Sequence, residues 1–138
     1  MKANLLTLFT ILVLASCAAQ KKDIKTGVLK GSVGEYIGNC MPAPNRPSCK
    51  PQPISAKIMI TRLSRDFSLQ LLVDSVESNH DGNFEINLPG GSYSLFIKDD
   101  GTYVCTGISC PSDCYCTPFE IVADSATTIK VTLDHATW

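Results

Sequence analysis

Short runs in which apolar and polar residues alternate are the strongest constraint this sequence places on its fold. In Asn83-Phe84-Glu85-Ile86-Asn87-Leu88, Phe84, Ile86 and Leu88 share one side while Asn83, Glu85 and Asn87 share the other. Gly91 to Lys98 sets Tyr93, Leu95 and Ile97 on one face, with Ser92, Ser94, Phe96 and Lys98 opposite. Thr128 to Asp134 sets Ile129, Val131 and Leu133 against Thr128, Lys130, Thr132 and Asp134. Side chains on a strand point alternately to its two faces, so each run reads as a half-buried β-strand. No stretch after residue 26 keeps a helical apolar period for three turns. Lys57–Leu63, Leu69–Val76 and Phe119–Val122 add shorter apolar runs. Gly27–Val33 reads as a first strand, in which Gly31 weakens the pairing or marks a bulge.

The connections carry turn chemistry. Asp81-Gly82 supplies a pair that tolerates the positive φ of a tight hairpin, and Pro89-Gly90-Gly91 separates two strands by a fixed then permissive turn. About seven short strands at these spacings predict an all-β protein, a single antiparallel β-sandwich over residues 26–138. The chain has 138 residues, enough for one domain. With 44% apolar and 18% charged residues it lies outside the disordered class, and a formal net charge of -1 excludes the basic excess of nucleic-acid binders.

The first residues read as an address. Lys2 precedes Leu5–Leu14 (LLTLFTILVL), an apolar core about half as long as the ~20 residues a membrane-spanning helix needs. It ends in Leu14-Ala15-Ser16-Cys17, which resembles the lipobox of bacterial lipoproteins. That resemblance implies a signal peptide over 1–16, fatty acylation of Cys17, and a tether over 17–25 that holds the protein to a membrane. Two or more acyl chains anchor durably where one binds only marginally. Ala18, which is not Asp, follows the cysteine, and by the same resemblance favours the outer membrane over the inner one.

The stretch Asn79-His80-Asp81-Gly82-Asn83-Phe84-Glu85-Ile86-Asn87-Leu88-Pro89-Gly90-Gly91-Ser92-Tyr93-Ser94-Leu95 resembles the hallmark of carboxypeptidase regulatory-like domains. These are transthyretin-like (prealbumin-type) sandwiches, and Gly27-Val28-Leu29-Lys30-Gly31-Ser32-Val33 is similar to their opening strand. The resemblance implies an accessory or interaction module with no catalytic centre and no cofactor. Its partner is then an envelope protein or glycan.

Seven cysteines remain to be placed. With Cys17 acylated, six are left: Cys40, Cys49, Cys105, Cys110, Cys114 and Cys116. An even remainder in an exported chain implies disulfides, with 15 possible connectivities. Cys40 and Cys49 flank a proline-rich loop, Gly38–Pro53, and form the natural first pair. A nested arrangement, Cys105–Cys116 around Cys110–Cys114, closes the second loop, and crossed pairing stays open. The alternative is a metal- or ligand-binding envelope protein that uses loop 105–116, whose Cys-x4-Cys-x3-Cys-x-Cys offers four thiolates to zinc or copper(I). This spacing differs from the paired Cys-x2-Cys knuckles of structural zinc sites, and oxidation on export favours bridges over a metal.

Other chemistry is sparse. His80 falls in the Asp-Gly turn and His135 in the tail, both read as solvated, and neither adjoins a nucleophile in a recognisable motif. Asp99-Asp100-Gly101 and Asn79–Asn83 are ordinary turn residues and do not follow EF-hand spacing. Tyr36, Phe96, Tyr103 and Tyr115 are the candidates for an exposed aromatic surface that binds a sugar or peptide.

Overall fold

A computed structural model describes residues 23–110 and 112–138. Eleven strands follow one another: β1 (Thr26–Asn39), β2 (Gln52–Pro53), β3 (Lys57–Arg62), β4 (Leu72–Glu77), β5 (Asn83–Pro89), β6 (Gly91–Asp99), β7 (Thr102–Val104), β8 (Ile108–Ser109), β9 (Tyr115–Cys116), β10 (Pro118–Ile121) and β11 (Ala126–Thr137). They form an all-β sandwich. In the first sheet β1 is central, with β11 along one edge and β5 followed by β2 along the other. The second sheet runs β4-β3-β6, and the far edge of β6 pairs with β10 and then β7. A small β8–β9 hairpin stands apart.

Leu29, Val33, Phe84, Leu88, Val131 and Leu133 from the first sheet face Ile58, Ile60, Tyr93, Leu95, Ile97 and Ile121 from the second, and all are buried. These are the inward positions of the alternation, and burying one such aliphatic side chain contributes about 1.5–3 kcal/mol. The Tyr93 hydroxyl donates to the Pro89 carbonyl at 2.7 Å, so its polar tip is satisfied where the chain crosses between sheets.

Four details depart from the sequence reading. One ladder is parallel: β11 pairs with β1 from Val28↔Ala126 to Asn39↔Thr137. Because β11 supports it, β1 continues six residues past Val33 to Asn39. Gly31 marks no bulge, since both of its ladders run through it in continuous register; a Cβ there would collide with the Phe84 ring, so the glycine is room for that aromatic. Residues 69–71 of the expected Leu69–Val76 strand form a single 3-10 turn instead, started by the Ser68 hydroxyl accepting from the Gln70 N–H.

Both predicted tight turns exist, but they are corners between sheets. Asp81-Gly82 leads from β4 in one sheet to β5 in the other, and Pro89-Gly90 leads back to β6. Gly82 takes φ +77°, and a Cβ would strike the Val33 carbonyl, so only glycine fits.

Candidate functional site

The six cysteines of the described region form three disulfides: Cys40–Cys49, Cys105–Cys116 and Cys110–Cys114. The second and third are nested. With the four sulfurs of loop 105–116 bonded in pairs, that loop holds no thiolate set for a metal, and no cluster of metal-ligating side chains occurs among the described residues. Cys17 lies outside the described residues. Among those residues, no helix is long and apolar enough to cross a membrane.

Loop 105–116 has a packing role. Cys116, fully buried, lies with Met59 and Phe96 on the outer face of the second sheet, with Phe67, Leu72 and Cys105 around them. Phe96 was an expected surface aromatic, and this second small core corrects that expectation: its exposure is 2%. Alternation did place Phe96 on the face opposite Tyr93, but the cysteine loop folds over that face and removes it from water.

The other three aromatics do not converge. Tyr103 stacks on Phe67 with ring centres 3.7 Å apart, on the flank of the second sheet. Tyr115, half-buried in the β8–β9 hairpin, donates its hydroxyl to Asp113 at 3.3 Å, and the adjacent carboxylate raises its pKa. Tyr36 stands on β1 and meets Trp138 edge-on, with ring centres 5.6 Å apart.

The end of the sandwich beside Trp138 carries a recess. Gly38, at φ +78°, turns the chain out of β1, and the Cys40 N–H extends the ladder to the Thr137 carbonyl at 2.8 Å. Ala43-Pro44-Asn45-Arg46 then makes a tight turn, closed by the Arg46 N–H donating to the Ala43 carbonyl at 3.2 Å. Proline presets φ at the second position, and Asn45 takes the left-handed φ of +62° at the third. This turn folds Arg46 back over the start of the loop. Its Nη1 donates to Asn39 Oδ1 at 3.3 Å and to the Met41 carbonyl at 3.2 Å. Cys49 closes the loop on Cys40, and β2 returns it to β1 at Gly34–Glu35.

On the other side of the recess, Trp138 Nε1 donates to both carboxylate oxygens of Asp134 at 3.0 and 2.9 Å. Asn39, Met41, Arg46, Ser48 and Trp138, with the Cys40–Cys49 bridge, enclose a pocket of about 370 Å³. That is near the lower end of the ~300–1,000 Å³ typical of small-molecule sites. Arg46 and Trp138 were not candidates in the sequence. The one available signal was that the chain's single tryptophan directly follows an alternating strand.

His135 corrects a second expectation. It is exposed, as expected, but it belongs to β11 and not to a tail, and it lies between two carboxylates. Nδ1 is 2.5 Å from Glu35 Oε1 on β1, and Nε2 is 2.8 Å from Asp99 Oδ2 at the end of β6. Neither ionised carboxylate can donate, so both ring nitrogens must, which is the imidazolium form. The Glu35 hydrogen bond foremost, then that of Asp99, raises the His135 pKa above 6.5. His80 stays exposed in the corner turn, where Asn79 Oδ1 accepts from the N–H groups of Asp81 and Asn83. Asn79 thus serves the turn, and Asp99 serves His135.

No protein-family model matches the chain, and no curated protein matches its sequence. Solved structures that align with it include the minor pilin GBS52 of the gram-positive pathogen Streptococcus agalactiae, at 14% identity and TM-score 0.43 over 80% of this chain. A leucine-rich repeat protein from Bacteroides thetaiotaomicron aligns over 80% of the chain at 12% identity and TM-score 0.41. The shaft pilin SpaA from Lactobacillus rhamnosus GG aligns over 82% at 11% identity and TM-score 0.35. The chain spans 44%, 12% and 51% of those three chains, respectively.

Proposed function

We propose that this protein is a lipid-anchored, non-enzymatic module of the bacterial cell envelope, fixed at one end and binding at the other. The carrying observation is the course of β1. It begins at Thr26, directly after the tether 17–25, and ends at Asn39 on the rim of the pocket. Fourteen extended residues span roughly 45 Å at ~3.3 Å each. An acyl chain on Cys17 would attach at the end of β1 opposite the disulfide-braced tip. Three disulfides support an oxidising compartment, and Ala18 after the cysteine supports the outer membrane. An accessory role in the manner of carboxypeptidase regulatory-like domains fits a sandwich that keeps its variable features in loops. Of the two histidines, His135 has both ring nitrogens engaged by carboxylates and His80 sits in a turn, which supports the non-enzymatic reading.

The test is fractionation of cells expressing the full chain or its Cys17→Ala variant, grown with a labelled fatty acid. The wild type should carry label and sediment with membranes, and the variant should do neither. An unlabelled wild type, or a variant that still sediments, would overturn the anchoring.

A further inference from the structure

The geometry points to a saccharide-binding site in the tip pocket, with Trp138 as the stacking platform and Arg46 as the polar clamp; this deepens the reading of the tip as the binding end. Three features carry it. First, Trp138 is 57% exposed and yet fixed, tied through Nε1 to Asp134 and braced edge-on by Tyr36. A large aromatic held in place while facing water loses little freedom on binding and offers a flat π-face to C–H groups. One face of a pyranose ring is such a row of C–H groups.

Second, Arg46 spends only Nη1 on the protein, leaving three of its five guanidinium N–H groups, those of Nε and Nη2, without a protein acceptor among the described residues. A rigid fork of donors suits vicinal ring hydroxyls or a carboxylate. Third, the pocket wall mixes polar and apolar groups, with Asn39 and Ser48 beside Met41 and Trp138. A purely apolar ligand would leave those polar groups unpaired, whereas an amphipathic ring with hydroxyls on its edge matches both kinds. The prolines and the Cys40–Cys49 bridge preset the rim, so the site does not have to order a loop on binding.

Because Trp138 is the only tryptophan in the chain, its fluorescence reports this pocket alone. The full chain in detergent micelles is titrated with a neutral gluco-oligosaccharide and, separately, with a uronic-acid oligosaccharide. At least one should shift the Trp138 emission saturably, and Arg46→Ala should weaken that response at least tenfold without altering the unliganded spectrum. A response to the neutral sugar assigns Arg46 to hydroxyls, and a response confined to the uronic acid assigns it to the carboxylate. The proposal fails when neither sugar changes the emission and calorimetry detects no heat, when Arg46→Ala binds as well as wild type, or when a proline-rich peptide binds and the sugars do not. Since the titration is independent of Cys17, a failure here leaves the anchoring intact, and failed acylation leaves this site intact.

Discussion

His135 Nε2 and Asp99 Oδ2 meet at 2.8 Å across the two sheets, joining the last strand of one to β6 of the other. Glu35 holds the other ring nitrogen, so a single imidazolium ties β11 to both β1 and β6 near the base of the tip. Folding raises the His135 pKa, which means the folded state holds this proton more tightly than the unfolded one. The stabilisation is then complete below pH 6.5 and fades as pH rises through the raised folded value. The melting-temperature difference between wild type and His135→Gln should be largest in mildly acidic buffer and shrink toward alkaline pH. Because the ring is partly exposed, high salt should also reduce it. A difference that grows with pH would refute the clasp.

Gly31 and Phe84 form a complementary pair on adjacent strands. Gly31→Ala forces its Cβ into the ring and toward the Ile129 carbonyl, 2.9 Å away, so overpacking should cost about 1–3 kcal/mol. In a Phe84→Leu background the penalty should fall by at least ~0.5 kcal/mol, a coupling typical of residues in contact. Urea midpoints of the four proteins measure it. Equal penalties in both backgrounds would place the strain elsewhere.

The nested bridges should differ in what they contribute. Replacing Cys105 and Cys116 with serine opens the longer loop and sets a hydroxyl at a fully buried position beside Met59 and Phe96. Loop entropy alone suggests about 3 kcal/mol for this bridge and about 2 kcal/mol for Cys110–Cys114. The buried serine widens that gap, while Cys110 is exposed. Thermal unfolding of the two double variants should therefore rank Cys105–Cys116 as the more costly loss. The unreduced protein should also weigh about 6 Da less than its fully reduced form.

Much of the sandwich was legible because alternation needs only neighbours in sequence. Phe84, Ile86 and Leu88 declare a shared face whatever they pair with. The strand cores around residues 58–60, 93–97 and 129–133 follow in the same way. What alternation cannot state is the partner. Gly34-Glu35-Tyr36-Ile37-Gly38-Asn39 has weak strand character and is extended because β11 runs beside it. Phe96 was assigned to the correct face, yet whether a face meets water depends on where loop 105–116 lands. His135 reads from sequence as a tail residue without partners, because Glu35 and Asp99 reach it from distant parts of the chain. The pocket likewise joins the Ala43–Arg46 turn to Trp138, which only the parallel ladder brings together.

That parallel ladder also decides how the molecule carries mechanical load. A ligand in the proposed tip site and the proposed anchor below Thr26 would pull at opposite ends of the same structure. Force entering near Asn39 travels down the covalent backbone of β1 to the tether. Force entering at Trp138 must cross from β11 to β1, and the ladder from Val28↔Ala126 to Asn39↔Thr137 then takes it in shear, with its hydrogen bonds sharing the load. An antiparallel last strand would have put its end beside the tether and left the tip to peel bond by bond. The topology thus suits this sandwich to act as a strut between the proposed anchor and the tip.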